Sequence, residues 1–360
     1  MTRVVFITQQ FDPENPLLAA AIPQVVALAQ AVDEVVVIAD RVVAAALPAN
    51  ARGYSFHSRT KLGRGLRLLL ATVRELPGLV KGGAVIAHQC PVYAIIVAPL
   101  VRPARVPLVL WWSHSKIDRV VRLAERLCTT VVSVDATTFP LSSKKLVLIG
   151  QATDVASIPL RPEGASKAGP PLRVLVLARY GRIKGLSTIV RAARVALDGG
   201  VDLRLELHGP APNAEAVADK EELQRLVAEL DLAERVSVGD AAATREEVFG
   251  LLGAADVLVS NTYGGADRVV YEAAASGIPV LASNRVHADL LDPDAFFDRD
   301  DPEELATRLA EVAAMSPSER DSIGRRSRER VEQGHSVDSW VSGLLTAAGI
   351  GVDARARNER

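Results

Sequence analysis

Cysteine is almost missing from this chain: Cys90 and Cys128 are the only two among 360 residues. Two such residues build neither a disulfide framework nor a metal ligand set, and they fit a reducing compartment. Aromatic residues are scarce as well, 4% against 49% hydrophobic, so the cores must be assembled from Val, Leu, Ile and Ala. Long apolar runs are also lacking. The longest, residues 92–101, contains Pro99 and falls well short of the ~20 residues that span a bilayer. No signal peptide is expected, since Met1-Thr2-Arg3 leads straight into a strand-like run, and a cytoplasmic protein is the reading that follows. The net charge of −1 argues against bulk nucleic-acid binding. No Gly-x-Gly-x-x-Gly occupies the first turn, residues 8–13, which argues against a simple dehydrogenase.

What the chain has is length and apolar runs. At a prior of roughly 150 residues per domain, 360 residues suggest two domains. Runs at 4–8, 34–39, 84–87, 107–112, 130–134 and 146–149 are continuous rather than alternating, as strands covered on both faces of a parallel sheet are. A helix is expected at 22–31. Proline and glycine crowd into 158–171, which reads as a linker. Alternation then restarts, with strands at 173–177, 203–208, 236–238, 256–260 and 278–282 and helices at 185–198, 214–230 and 246–252. Helices close the chain at 302–314, 316–333 and 336–348, and the polar tail 354–360 is expected to fray. The expected fold is α/β: two doubly wound, parallel-sheet (Rossmann-like) domains, 1–160 and 171–334, facing a cleft. Residues 335–360 supply a last helix, expected to pack back on the first domain, and the tail.

Charge is unevenly spread. Residues 1–165 hold 18 Lys and Arg against 11 Asp and Glu, a balance of +7, which leaves −8 for the remainder of a chain at −1. Much of the excess lies in Arg59, Lys61, Arg64, Arg67 and Arg74, on an expected helix with Leu62, Leu66, Leu69 and Leu70. That pattern suits either an ordinary solvated helix face or a basic amphipathic surface that touches membrane lipid.

The most informative stretch runs from Gly264 to Ser276. It lies between two expected strands, so Gly264, Gly265 and Ala266 fall at a strand-to-helix turn with Glu272 inside the helix. Such a turn either simply reverses the chain or holds an anion, because glycine permits close backbone approach and the helix start offers free N–H groups. Arg179 and Lys184 lie in another loop at a strand's carboxyl end. Alone they read as solvated cations; together with the glycine turn they make a diphosphate clamp, a planar fork and a point charge. Glu272 either accepts hydrogen bonds from a ribose diol or complements the helix dipole.

The order Arg179, Lys184, then Gly264 to Glu272 followed by Ala273-Ala274-Ala275-Ser276-Gly277-Ile278-Pro279-Val280, resembles the second domain of the retaining GT-B glycosyltransferases, glycosyltransferase family four. More weakly, Phe6-Ile7-Thr8 with Pro13 resembles the family's first strand and acceptor-side loop. Thr129 to Val134, Phe139-Pro140 and Lys144 to Gly150 resemble its last first-domain strands. The resemblance implies a retaining, hexosyltransferase-like enzyme that moves a sugar from a nucleotide-sugar donor to an acceptor hydroxyl. It implies that Arg179 and Lys184 grip the donor diphosphate and that the amides of Gly265, Ala266, Asp267, Arg268 and Val269 cradle phosphate. Glu272 would bind ribose, and His114 would contact the transferred sugar, unless that histidine is merely structural. No cofactor or metal is implied; Asp298-Arg299-Asp300 has Asp-x-Asp spacing but follows no clear strand.

Two positions depart from the family pattern. Gly264 stands where the first glutamate of Glu-x7-Glu belongs, with Asp267 three residues on as a substitute. The acceptor-side loop reads Pro13-Glu14-Asn15-Pro16-Leu17-Leu18 rather than paired glycines. Rival readings are a GT-B nucleotide-sugar epimerase or hydrolase, and a degenerate binding or partner subunit. The basic first half points to an anionic or lipid-linked acceptor and to peripheral membrane contact.

Overall fold

The computed structural model describes residues 2–15, 21–162, 164, 169–242 and 244–351. Of the segments named above, loop residues 16–18, linker residues 163 and 165–168 and the tail 354–360 lie outside the described residues. The chain divides into two compact units, residues 1–152 with 334–360, and residues 153–333.

The first unit is built on a parallel sheet of β1 (Arg3–Ile7), β3 (Glu34–Ala39), β5 (Ala51–Ser55), β6 (Ala84–His88), β7 (Leu108–Trp111), β8 (Thr130–Ser133) and β9 (Leu146–Leu148). Their spatial order is β5-β3-β1-β6-β7-β8-β9, and β2 (Gln10–Phe11) pairs separately with β4 (Arg41–Val42). Val4, Val5, Phe6 and Ile7 are wholly buried, because β1 is central and covered on both faces, which is why the run is continuous rather than alternating. Val5 sits in register with Val36 on one side and Val85 on the other. The helices of this part are α1 (Ala21–Ala31), α2 (Lys61–Leu79), α3 (Pro91–Val101) and α4 (Arg119–Leu127). α2 starts where Thr60 accepts from the Gly63 amide, and α4 starts where the Asp118 carboxylate accepts from the Val120 and Val121 amides, each at 2.9 Å. These side chains satisfy first-turn donors that no helical carbonyl can reach.

The second unit repeats the architecture with β10 (Leu172–Leu177), β11 (Leu203–His208), β12 (Val236–Val238), β13 (Val257–Ser260) and β14 (Val280–Ala282), in the order β12-β11-β10-β13-β14. Its helices are α5 (Leu186–Asp198), α6 (Ala214–Glu229), α7 (Arg245–Ala254), α8 (Arg268–Ala275), α9 (Pro302–Ala314) and α10 (Pro317–Gly334). Core residues are mostly Val, Leu, Ile and Ala, with Tyr180, Tyr271, Phe296 and Phe297 as the aromatic exceptions among the described residues. The chain then returns to the first unit through α11 (Val337–Ala347), whose Trp340 meets Trp111 edge-on at 5.8 Å.

The passage between units falls at 152/153 rather than at 160. Residues that read as a linker are anchored in the second unit: Arg161 Nη2 lies 3.5 Å from the buried Asp256 carboxylate, and the Ile158 carbonyl accepts from Arg328 at 3.2 Å. Among the described residues no helix is long and apolar enough to cross a membrane.

Candidate functional site

In the second sheet, chain order runs outward from β10 through β11 to β12 on one side and through β13 to β14 on the other. Open α/β sheets bind ligands outside the carboxyl ends of their strands at such a switch point. Two loops meet there. The one after β10 holds a single 3-10 turn, Arg182–Lys184, and ends at Gly185 in the left-handed region, φ 54°. The one after β13 leads into α8. They are bonded to each other: Asn261 Nδ2 donates to the Gly185 carbonyl at 2.9 Å and to that of Arg299 at 3.0 Å, and the Tyr263 amide donates to Ile183 at 3.2 Å. Behind them Asn284 Nδ2 donates to the Gly265 carbonyl at 3.0 Å.

Gly264 and Gly265 adopt φ of 69° and 78°, a consecutive left-handed pair that side chains oppose. The pair delivers the chain to the amino end of α8, where first-turn N–H groups lack helical partners. Among the described residues none of the amides of 264–269 donates to a protein acceptor. Asp267 holds the N-cap position, yet its side chain makes no cap hydrogen bond. Its carboxylate turns instead to Lys184, whose Nζ is 2.8 Å from Asp267 Oδ2 and 3.1 Å from Thr262 Oγ1. The Thr262 hydroxyl donates to the same oxygen at 2.6 Å, and that of Ser260 lies at 3.3 Å.

Burial works against the charge on Asp267, but the Lys184 ammonium, the bonds from Lys184 and Thr262 and the nearby His287 together hold its carboxyl below the usual carboxylate range. The carboxylate is therefore charged at neutral pH and neutralises Lys184 internally. An incoming phosphate at α8 meets a like charge at the helix start. Asp267→Asn is accordingly expected to tighten inorganic pyrophosphate binding by about tenfold, roughly one removed charge repulsion at short range in a partly screened site. Isothermal titration measures it, and unchanged or weaker binding would assign Asp267 another role.

The remaining expected residues are placed as follows. Arg179 is exposed, forms no ion pair among the described residues, and with Lys184, Asn213 and Asp219 lines a cavity of about 230 Å³. Glu272 lies on α8, largely buried, with Oε1 3.0 Å from Arg245 Nη1. Arg245, at the start of α7, is itself stacked over Phe249 at 4.8 Å. His114 belongs to the first unit, after β7, with its ring edge-on to Trp112 at 4.9 Å. Desolvation lowers its pKa from the ordinary histidine value, so at neutral pH the imidazole is uncharged and can both donate and accept.

Several residues in and around these loops were given no individual role in the sequence reading. In the second unit they are Thr262, Asn261, Asn284, Arg245 and Arg299, the last stacked on Tyr263 at 5.8 Å. In the first unit the corresponding switch point lies between β1 and β6. There Thr8 Oγ1 and His88 Nδ1 are 3.0 Å apart, and next to them Gln89 Nε2 donates to Ser113 Oγ at 2.8 Å. For Thr8, His88 and Asn261 a signal was available, since each stands at or directly after the end of an apolar strand run.

Residues 171–314 match the family model described as glycosyl transferases group 1. A putative colanic acid biosynthesis glycosyltransferase, WcaL of Escherichia coli (strain K12), is 27% identical over 220 residues, 57% of this chain and 52% of that protein. The matched region thus spans about half the length of that relative. Among solved structures, Anabaena HepE in complex with UDP and glucose superposes with a TM-score of 0.71 at 18% identity, covering 96% of this chain and 99% of the other. Sucrose-phosphate synthase from Thermosynechococcus elongatus gives 0.73 at 16% identity, covering 96% and 98%. The chain has the GT-B fold, two parallel-sheet α/β units, and its second unit is similar to group 1 glycosyl transferases.

Proposed function

We propose that this protein transfers a sugar from a nucleoside-diphosphate donor to an acceptor hydroxyl with retention of anomeric configuration. The observation that carries the reading is the meeting of Lys184 with the amino end of α8 at the switch point of the second sheet. Lys184 and Arg179 take the diphosphate, the amides of 265–269 take its oxygens, and Glu272 accepts from the ribose while sharing its charge with Arg245. His114, uncharged, hydrogen-bonds the transferred sugar. As the bond from the anomeric carbon to the phosphate oxygen breaks, the acceptor oxygen bonds to that carbon on the same face. The acceptor proton passes to the departing phosphate oxygen, so no protein nucleophile is needed. Preorganised cations and amides carry the developing charge, a task that in other designs falls to a metal ion. HepE was solved with UDP and glucose, which makes UDP-sugars the first donors to try. The +7 balance of residues 1–165 supports an anionic or lipid-linked acceptor.

Gly264, which offers no side chain to sugar hydroxyls, and the Asp267 carboxylate on Lys184 favour one alternative, a nucleotide-sugar-binding partner without turnover. The two are separated by a thermal-shift screen of UDP- and GDP-sugars, followed by product analysis with and without acceptor. Transfer with the α-configuration of an α-linked donor preserved supports the proposal. Binding without turnover overturns it in favour of the partner subunit, and consumption of donor alone in favour of an epimerase or hydrolase.

A further inference from the structure

The face of α2 turned away from the core is apolar. Leu68, Thr72, Glu75 and Leu79 are buried against the sheet, whereas Leu62 is 89% exposed, Leu66 59%, Leu70 60% and Val73 46%. At 100° per residue these four exposed side chains fall in one sector of about 80°. The C-cap residue Val80, also exposed, extends the row. Single exposed apolar residues are ordinary; a contiguous row on one helix marks an interaction surface.

Charge identifies the partner. Residues 59–81 carry Arg59, Lys61, Arg64, Arg67, Arg74 and Lys81 and a single acid, Glu75. Glu75 is buried, bonded to Arg3 at 3.2 Å and to Arg52, so it contributes nothing to the outer face. Arg64 and Arg67 are braced on the carbonyls of Ser58 and His57, and Arg74 stacks over Tyr54 at 5.3 Å. One acid stands close by, Asp40, 3.5 Å from Arg64 and also bonded to His57. Arg59, Lys61 and Lys81 form no ion pair among the described residues. Beside an apolar row, long cationic side chains keep their heads in water while their stems lie along the hydrocarbon boundary. The row has no Trp or Tyr of the kind that anchors protein interfaces.

We propose that α2 docks this protein on an anionic phospholipid bilayer, with Leu62, Leu66, Leu70 and Val73 entering the interface and the basic side chains lying among the headgroups. The helix lies in the membrane plane rather than crossing it. The surface belongs to the first unit and the donor residues to the second, so the docking stands whether or not the enzyme reading does.

The test is flotation of the full chain with vesicles of phosphatidylcholine alone and of phosphatidylcholine with phosphatidylglycerol, at low and high salt. Binding is expected on the phosphatidylglycerol vesicles and is expected to weaken with salt. The double variant Leu66→Glu/Leu70→Glu should bind about a hundredfold more weakly, roughly tenfold for each leucine kept from the interface, with its melting transition unchanged because both sites are exposed. A second variant, Arg59→Glu/Lys61→Glu, should lose the preference for phosphatidylglycerol. Equal binding to both vesicle types, no binding, or full binding by the leucine variant overturns the proposal. So does a dimer of the free chain that the leucine variant abolishes, which would make a second copy the occupant.

Discussion

Lys184→Ala is expected to lower the turnover number by about 10² to 10³, the usual loss when one preorganised group that stabilises developing charge is removed. The geometry gives a reason for an effect of this size. Lys184 is held by the Asp267 carboxylate and the Thr262 hydroxyl on a turn bonded to the next loop, so its ammonium is fixed before donor arrives. The same ion pair complicates the experiment. In the alanine variant Asp267 keeps the Thr262 and Ser260 hydroxyls but loses its counter-ion, so its carboxyl pKa rises and stability falls by about 1–3 kcal/mol. Lys184→Ala/Asp267→Asn removes both charges and should regain most of that stability while transfer stays lost. Kinetics and thermal melts of the single and double variants therefore separate a missing charge from a damaged turn. Near-normal turnover in a folded Lys184→Ala protein would falsify the assignment of Lys184 to the donor.

What the sequence disclosed depended on the range of the interaction. Continuous apolar runs such as Val4 to Ile7 follow directly from coverage on both faces, and the glycine pair at 264 and 265 follows from local backbone geometry. β5 was not legible, because Ala-Arg-Gly-Tyr-Ser is neither continuous nor alternating; as an edge strand it is defined by its pairing with β3. Nor was the direction of the Asp267 side chain legible, since its partner lies 83 positions earlier. Glu272 looked free to reach a ligand or the helix dipole, while the fold gives it Arg245. Arg161 shows the same limit, since proline and glycine around it reveal an irregular backbone but not a buried side chain.

That buried side chain leads to the largest expected loss of stability. Asp256, one residue before β13, takes a two-pronged pair from Arg173, Nε to Oδ2 and Nη2 to Oδ1, both at 2.9 Å, plus the Arg173 amide at 3.0 Å. Arg161 and Arg320 lie 3.5 and 3.8 Å away, and all three of Asp256, Arg161 and Arg320 have side chains no more than 4% exposed. Asp256→Ala leaves two buried guanidinium groups without that carboxylate, which is expected to cost about 3–5 kcal/mol. At roughly 2–4 °C per kcal/mol for a unit of this size, the melting transition should fall by about 6–20 °C. Burial opposes the Asp256 charge, but the bonds and charge of Arg173, with Arg320, hold its carboxyl below the usual range. A carboxyl depressed in the folded state contributes stability above its unfolded pKa and loses it as pH falls through the folded one. The wild type should therefore lose stability on acidification through that window, and Asp256→Asn should flatten this limb while lowering the neutral plateau. Thermal melts from neutral to acid pH read both effects at once. An unchanged transition in Asp256→Ala would mean that the three arginines find adequate partners elsewhere and that the carboxylate does not organise the second unit.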